Sequence, residues 1–499
     1  MSKDNNPFQL SKEQLQELLR DEMQPDPDEL GSPPGGKRTK PSIDDIRFDI
    51  TPDELIAYLR NYVVGQDLSV EMIATKICTH FHRMQLERTH TELPRIVGHI
   101  KANMLLIGPT GVGKTYLIRL IAEKLHVPFV KGDATKFSET GYVGGDVEDL
   151  IRELVYQVDD NIPLAEYGIV YIDEIDKIAS SGTGWSGPDV SRGGVQRNLL
   201  KLMEETEVDM KVPHDLASQM EAVMETQRSG KATKKKVNTH NILFVMSGAF
   251  ADLPGIVARR LKKGGIGFTG EAMRSPREIE FMLEQLHSQD MVDYGFESEF
   301  VGRLPVITFL SELDVEGLFD ILRNPKSAVI QGKKRDFAAY GIQLTFDDAA
   351  FRFIAEEAYH YHTGARALVR VMERLLLPFE RSLPSTEVGQ LHVTEELCRD
   401  PEGFLRELVD ANAIETFTAD FIRRTGVQLE FSSAARRLVV AKSAQNGLTV
   451  KSFLDEILSG YEHGLKLVGK NQFTVTRNVL DDPKGYLDRL IKKRYQGNS

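Results

Sequence analysis

Eight residues, Gly108-Pro109-Thr110-Gly111-Val112-Gly113-Lys114-Thr115, restrict this chain more than any other stretch. The apolar run from Met104 to Ile107 precedes them and reads as a buried strand, while behind them Leu117, Ile118, Leu120, Ile121 and Leu125 recur at helical spacing. Glycines between a strand and a helix let the backbone close around phosphates with its N–H groups pointing inward, and the helix N-terminus favours the same anions. Lys114 has the reach for β- and γ-phosphates, and the Thr115 hydroxyl suits Mg²⁺. The pattern predicts a P-loop at the carboxyl edge of an α/β sheet.

Other apolar runs add to that edge. Gly168 to Ile172 reads as a strand ending in Asp173 and Glu174. Asp173 suits the Mg²⁺ shell and Glu174 can orient and polarise an attacking water, so the pair makes hydrolysis, rather than nucleotide storage, the expectation. Asn241 to Met246 is a further strand, ending at Ser247. Its hydroxyl could touch the γ-phosphate or the attacking water, or equally cap the next helix. Gly302-Arg303-Leu304-Pro305 leads into a last apolar run, which puts Arg303 on the edge away from its own phosphates, within reach of a neighbouring subunit's nucleotide.

Between these strands lie segments with exposed aromatic or charged residues. Tyr142 and Val143 stand between glycines on a loop, and the tyrosine reads either as a hydrophobic plug or as a gripping residue. The pattern weakens from Glu207 to Thr239 and ends in Arg228, Lys231, Lys234, Lys235 and Lys236, either a solvated face or a collar for an acidic partner segment. Ile266-Gly267-Phe268 places two large apolar residues in a glycine-rich context, where they meet a partner or fold back.

The N-terminal part has a different character. Ser11 and Gln14 form a capping box for a short helix with a Leu15, Leu18 and Leu19 stripe, which docks on its own chain or on a partner. The stretch from Gln24 to Ser42 is too rich in proline, glycine and charge to pack and reads as a linker. Thr51-Pro52-Asp53-Glu54 repeats the helix-start signal, and the folded region is expected to begin there. Val64-Gly65-Gln66 then interrupts the helical pattern as a turn.

Composition narrows the class. With 41% hydrophobic and 27% charged residues the chain reads as soluble and globular, and its 499 residues suit three or four domains. The net charge of -12 argues against general nucleic-acid binding. Two cysteines, Cys78 and Cys398, lie far apart without a CxxC pair, which points to neither a disulfide framework nor a zinc site. With no long apolar run and no signal-peptide pattern at the start, the expected location is cytoplasmic, with no membrane contact.

The tail repeats itself. Gly341-Ile342-Gln343-Leu344-Thr345-Phe346 recurs at Gly426-Val427-Gln428-Leu429-Glu430-Phe431, and Asp400-Pro401-Glu402-Gly403 recurs at Asp482-Pro483-Lys484-Gly485. Between them, Gln390-Leu391-His392-Val393-Thr394 matches Gln472-Phe473-Thr474-Val475-Thr476. Residues 313–408 and 409–499 are therefore expected to be two copies of one small helical domain with a short β element. The first copy carries Thr363-Gly364-Ala365-Arg366, whereas the second has Asn446-Gly447-Leu448-Thr449-Val450, without an arginine.

Taken together these motifs resemble AAA+ ATPases of the ClpX type, hexameric unfoldases that feed a barrel-shaped protease. The resemblance covers residues 58–408 and rests on Val64-Gly65-Gln66, the P-loop, Asp133-Ala134-Thr135, Gly141-Tyr142-Val143-Gly144, Ile172-Asp173-Glu174, Asp189-Val190-Ser191, Gly248-Ala249-Phe250, Gly302-Arg303-Leu304-Pro305 and Gly364-Ala365-Arg366. It implies an α/β fold with an AAA+ large domain over residues 51–312 after a 1–50 helix and linker. A small lid domain would occupy 313–408, and a diverged second copy 409–499. It implies ATP and Mg²⁺ as cofactors, with Gly108, Thr110, Gly111, Val112, Gly113, Lys114, Thr115, Tyr116, Val64 and Arg366 around the nucleotide and Thr115 with Asp173 on the metal. Asp173 and Glu174 become the Walker B pair, Ser247 the sensor-1 residue, Arg303 the arginine finger in trans and Arg366 the sensor-2 arginine. Tyr142 and Val143 become a pore loop gripping polypeptide, and Ile266-Gly267-Phe268 the tripeptide that docks on a ClpP-type protease.

Departures from the pattern leave further readings open. The chain lacks the N-terminal zinc-binding domain usual for ClpX and adds the duplicated tail. The HslU-type relative shares Ser247-Gly248-Ala249-Phe250, yet its large insertion is missing between Gly144 and Asp173. Besides a protease-feeding unfoldase, a protease-independent remodeller of one client complex and a nucleotide-switched scaffold are compatible with the sequence.

Overall fold

Runs of β-branched and aromatic residues such as Ile169-Val170-Tyr171-Ile172 form strands, and a strand apolar on both faces belongs in the middle of a parallel sheet covered by helices. The computed structural model describes residues 42–92, 100–138, 145–179, 190–210, 235–262 and 276–496, and builds that sheet. Its strands are β1 (Met104–Ile107), β2 (Phe129–Asp133) and β3 (Ile169–Asp173), followed after a short antiparallel pair of β4 (Glu207–Asp209) and β5 (Lys236–Asn238) by β6 (Leu243–Gly248) and β7 (Val306–Phe309). The five long strands lie in the order β2-β3-β6-β1-β7, all parallel. Register places Ile107 beside Gly248 and Phe309, and Asp173 beside Asp133. All five carboxyl ends therefore share one edge.

Helices cover both faces. Among those used below, α1 (Pro52–Arg60) starts as expected: Thr51 Oγ1 accepts from the Glu54 amide at 3.3 Å, and the Glu54 carboxylate accepts from the Thr51 amide at 2.9 Å. After it come α2 (Asp67–Thr89) and α3 (Lys114–Leu125), the latter burying Leu117, Ile118, Ile121 and Leu125 against the sheet. The expected start at residue 51 is too late, because Ile46, Phe48 and Ile50 are buried in the same core and the Arg47 amide donates to Leu125 O at 3.0 Å. Ser42 and Asp45 form a capping box on a single turn, Ile43–Asp45, just ahead of these residues, a start signal that the sequence carries at the end of the linker.

The β4–β5 pair was not visible in the weak pattern from Glu207 to Thr239. Each strand is only three residues long and buries a single valine, Val208 or Val237. Lys236 from the basic run pairs across this ladder with Glu207 at 2.6 Å, which supports the solvated-face reading for that lysine. Arg228, Lys231 and Lys234 lie outside the described residues, as do Tyr142, Val143, Asp189, Ile266, Gly267, Phe268 and the Leu15 helix.

The described residues divide into two units, 42–327 with 355–368 and 328–354 with 369–496. In chain order the tail contains α4 (Ala328–Ala338), β8 (Gln343–Phe346), α5 (Asp348–Tyr359), α6 (Ala365–Ser382) and β9 (Gln390–Val393). Then follow α7 (Glu395–Arg399), the long α8 (Pro401–Thr425), β10 (Gln428–Phe431), α9 (Ser433–Gln445), α10 (Val450–Ile457), α11 (Tyr461–Val468), β11 (Gln472–Val475), α12 (Arg477–Asp481) and α13 (Pro483–Gln496). β8 pairs in parallel with β9, and β10 with β11, in matching registers. The second pair has its own core, including Phe417, Leu429, Phe453, Tyr461 and Val475.

Two details depart from the repeat as read. The expected boundary at 408 falls inside α8, a continuous helix of 25 residues that ends only at Gly426 (φ 72°), since no glycine or proline interrupts it after Gly403. Where the first copy has the single helix α6, the second has α10 and α11, separated at Gly460 (φ 85°). α10 opens Val450-Lys451, so a lysine follows the first helical residue where α6 has Arg366.

The same helix cap is built twice. Asp400 accepts from the Gly403 amide at 3.0 Å and Asp482 from the Gly485 amide at 3.1 Å, each with proline at the first helical position. A Cβ on Gly485 would stand 2.2 Å from Asp482 Oδ2, and one on Gly403 2.1 Å from Asp400 Oδ2, so both carboxylates need glycine beneath them. Replacing Gly485 by alanine is predicted to displace the Asp482 carboxylate and cost about 1 kcal/mol of cap energy. Hydrogen exchange at the first amides of α13 should accelerate roughly five- to tenfold; unchanged exchange there would contradict the cap.

Candidate active site

β1 delivers the P-loop to the carboxyl edge of the sheet. Gly111 sits at φ 84°, and a Cβ there would lie 2.0 Å from Thr363 O. The Gly111 carbonyl accepts from the Ala365 amide at 2.9 Å, so the loop is closed against the start of α6 in its own unit. Arg366, the second residue of α6, is exposed there and acts electrostatically on Lys114. The Lys114 ammonium donates to the carbonyls of Gly108 at 2.5 Å and Pro109 at 2.7 Å. Burial holds its pKa below the ordinary lysine value; Asp173 and Asp176 oppose that shift and Arg366 adds to it.

Asp173 is the hub of the site. Alternation along β3 puts Tyr171 on the same side as Asp173, and the two enter one hydrogen-bonded network. Ser247 Oγ donates to Asp173 Oδ1 at 2.7 Å and lies 2.6 Å from Tyr171 OH, and the Glu174 amide also donates to Oδ1 at 3.1 Å. The second carboxylate oxygen, Oδ2, is 3.4 Å from Thr115 Oγ1 and 3.0 Å from Lys131 Nζ. Thr115 Oγ1 is itself 3.0 Å from Tyr171 OH. Burial would raise the Asp173 pKa, but the bonds from Ser247 and Lys131 outweigh it and hold the carboxyl below its usual range. Tyr171 moves the other way, pushed far up by burial and by Asp173, and stays a neutral hydroxyl.

Ser247 is fully buried within β6, beside Leu106, rather than just beyond the strand end. Its hydroxyl is committed to Asp173 and Tyr171. Glu174 is exposed in a left-handed conformation (φ 58°, ψ 33°), which costs a non-glycine residue about 1 kcal/mol. Such strain collects where a side chain has to be held in one direction.

The remaining predicted residues are spread around this centre. Val112 is buried, and Tyr116 is half-buried with its phenol pKa raised mainly by burial. Val64 is half-buried in a turn clamped by Gln66, whose side chain exchanges two 2.9 Å bonds with the Ser311 backbone. Arg303 is not brought to the P-loop. It precedes β7 at the opposite edge, its carbonyl accepts from Asn103 just before β1 at 3.2 Å, and its guanidinium lies 2.6 Å from Glu204.

Two members of the network, Tyr171 and Lys131, were missed from the sequence. Tyr171 could have been found by strand alternation from Asp173. Lys131 stands beside Tyr171 in the β2–β3 register, and the available signal was a lysine within a strand otherwise bound for the sheet.

Thr115 Oγ1 and Asp173 Oδ2 are hard oxygen donors, and two adjacent ligands of an octahedral Mg²⁺ at about 2.1 Å stand about 3 Å apart. Their separation of 3.4 Å, with an ammonium already against both, fits a cation at this point. Beside a P-loop and an exposed glutamate, this is the equipment for binding and cleaving a nucleotide phosphate chain.

The comparisons with known proteins agree with that chemistry. Residues 99–307 match the model of the AAA domain (Cdc48 subfamily), and residues 313–379 match the C-terminal, D2-small domain of ClpB protein. The ATP-dependent Clp protease ATP-binding subunit ClpX of Bacteroides thetaiotaomicron is 38% identical over 352 residues, covering 70% of this chain and 81% of that protein. The protein of the same name from Azotobacter vinelandii is 37% identical over 340 residues, covering 67% and 74%. A large domain on a parallel sheet, a small domain after it and relatives of this extent lead to one assignment: the chain belongs to the ClpX family of AAA+ ATPases.

Proposed function

We propose that this Clp-type ATPase works as a hexameric ring that draws polypeptide through its centre, with each ATP held between two subunits. The observation that carries the reading is the separation of Arg303 from its own P-loop, to the opposite edge of the sheet that holds Asp173 and Thr115. An arginine there serves catalysis only on a neighbour's nucleotide. Lys114, now on the Gly108 and Pro109 carbonyls, would exchange them for phosphate oxygens, and Arg366 would add charge from the start of α6. Thr115 and Asp173 would hold Mg²⁺, which would supply positive charge to offset the negative charge of the phosphates. Ser247 acts through Asp173 by fixing its inner oxygen, and Glu174 orients water for attack.

Tyr142 and Val143 are proposed to grip the translocating chain, and Ile266-Gly267-Phe268 to dock on a ClpP-type protease. The relatives' names, Clp protease ATP-binding subunit, support the protease role. A second reading, a protease-independent remodeller, is supported by the tail. The repeated element order, the twice-built aspartate cap and the separate core around Tyr461 support a diverged second small domain that selects a client.

Glu174→Gln is predicted to bind ATP with near-normal affinity while turnover falls at least about a hundredfold, measured as phosphate release. Wild-type turnover would show that the base is misassigned. Arg303→Ala should leave nucleotide binding intact and lower turnover by about 10³-fold or more, in the range of an arginine finger; loss of less than tenfold would refute that role.

A further inference from the structure

We propose that Lys131 is a resident counter-cation of the metal site, holding Asp173 and Thr115 ready for a divalent ion and yielding its place when that ion binds. The inference rests on the reading that Thr115 and Asp173 are the metal-facing groups. The Lys131 ammonium is 3.0 Å from Asp173 Oδ2 and 3.5 Å from Thr115 Oγ1, the two oxygens that would face the ion. A divalent cation bonded to the same Oδ2 at about 2.1 Å cannot share it with an ammonium without strong like-charge repulsion. One of them has to leave.

The other partners of the carboxylate show which. Oδ1 is held by the short Ser247 hydroxyl at 2.7 Å and by the Glu174 backbone amide at 3.1 Å, neither of which can move far. Among the described residues, Lys131 is the one long, flexible donor on Asp173. Its side chain is 38% exposed against 19% for Asp173, and its stem rises from β2 beside Tyr171, with the ammonium 5.9 Å from that ring's centre. It can therefore swing into water with little repacking, whereas the carboxylate stays fixed.

Two consequences follow from the charge balance. A nucleotide without metal meets a site that already carries a cation, so Lys131 supports metal-free binding. Magnesium has to compete with the lysine, so Lys131 raises the concentration at which the ion loads. Removing the positive charge should change both in opposite directions, which simple loss of structure would not do.

The test uses the full chain and ADP carrying a methylanthraniloyl fluorophore. Its affinity is measured in EDTA and then across a Mg²⁺ titration, for wild type, Lys131→Met and Lys131→Arg. For Lys131→Met the expected result is affinity in EDTA weakened roughly three- to fivefold and a Mg²⁺ midpoint lowered by a similar factor, the scale of a half-exposed ion pair. Lys131→Arg should stay near wild type. An unchanged or raised Mg²⁺ midpoint in Lys131→Met, with wild type responding to Mg²⁺, overturns the proposal and leaves the metal site standing. A wild-type chain that binds the probe equally with and without Mg²⁺ overturns the metal site and the proposal together. Should Lys131→Met fail to bind the probe under either condition, Lys131→Gln decides on the same two criteria.

Discussion

Both oxygens of one carboxylate hold this site together. Asp173 is reached from β6 through Ser247, from the P-loop helix through Thr115, from β2 through Lys131 and from its own backbone through Glu174. Those groups come from four separate stretches, and only a parallel sheet with all carboxyl ends on one edge brings them within hydrogen-bonding range. The desolvation that would protonate a half-buried aspartate is overcome by these donors, which keep it charged. Fixing one oxygen with short groups leaves the other for a cation. The proposed roles in catalysis and metal loading would thus depend on the same register.

The division of labour across the sheet is equally physical. The groups proposed to face phosphate lie where the strands end, and Arg303 lies where they begin, anchored through the Asn103 amide and opposite Glu204. A single chain with this topology holds half of what is proposed as a complete catalytic interface. In the proposed ring that incompleteness would be made good by the neighbour, and the nucleotide would couple one subunit's state to the next.

How much could be read in advance follows from range. The P-loop, the strand ending in Asp173 and Glu174, and the Thr51 cap depend on residues within a few positions of one another, and their type and spacing announced them. Lys131 was silent because its contact with Asp173 depends on the register of β2 and β3, strands paired in the sheet but far apart in sequence. Ser247 stands out in the sequence as the polar end of an apolar run, but only tertiary packing shows its hydroxyl spent on Asp173 and Tyr171. The β4–β5 pair was too short for a period to appear, and the 408 boundary failed because local sequence there favours an unbroken helix. In the tail the sequence repeat was audible, while the break at Gly460 that distinguishes the second copy was not.

If each ATP is cleaved between two subunits, then two inactive chains should rescue one another. Glu174→Gln keeps Arg303, and Arg303→Ala keeps Glu174, so a mixed ring contains interfaces where an intact glutamate meets an intact arginine. The measurement is phosphate release on titrating one purified variant with the other at constant total protein. Turnover that rises above both parents and peaks at intermediate ratios is the predicted result. Activity that never exceeds the parents, in mixtures shown to co-assemble, would contradict a shared active site.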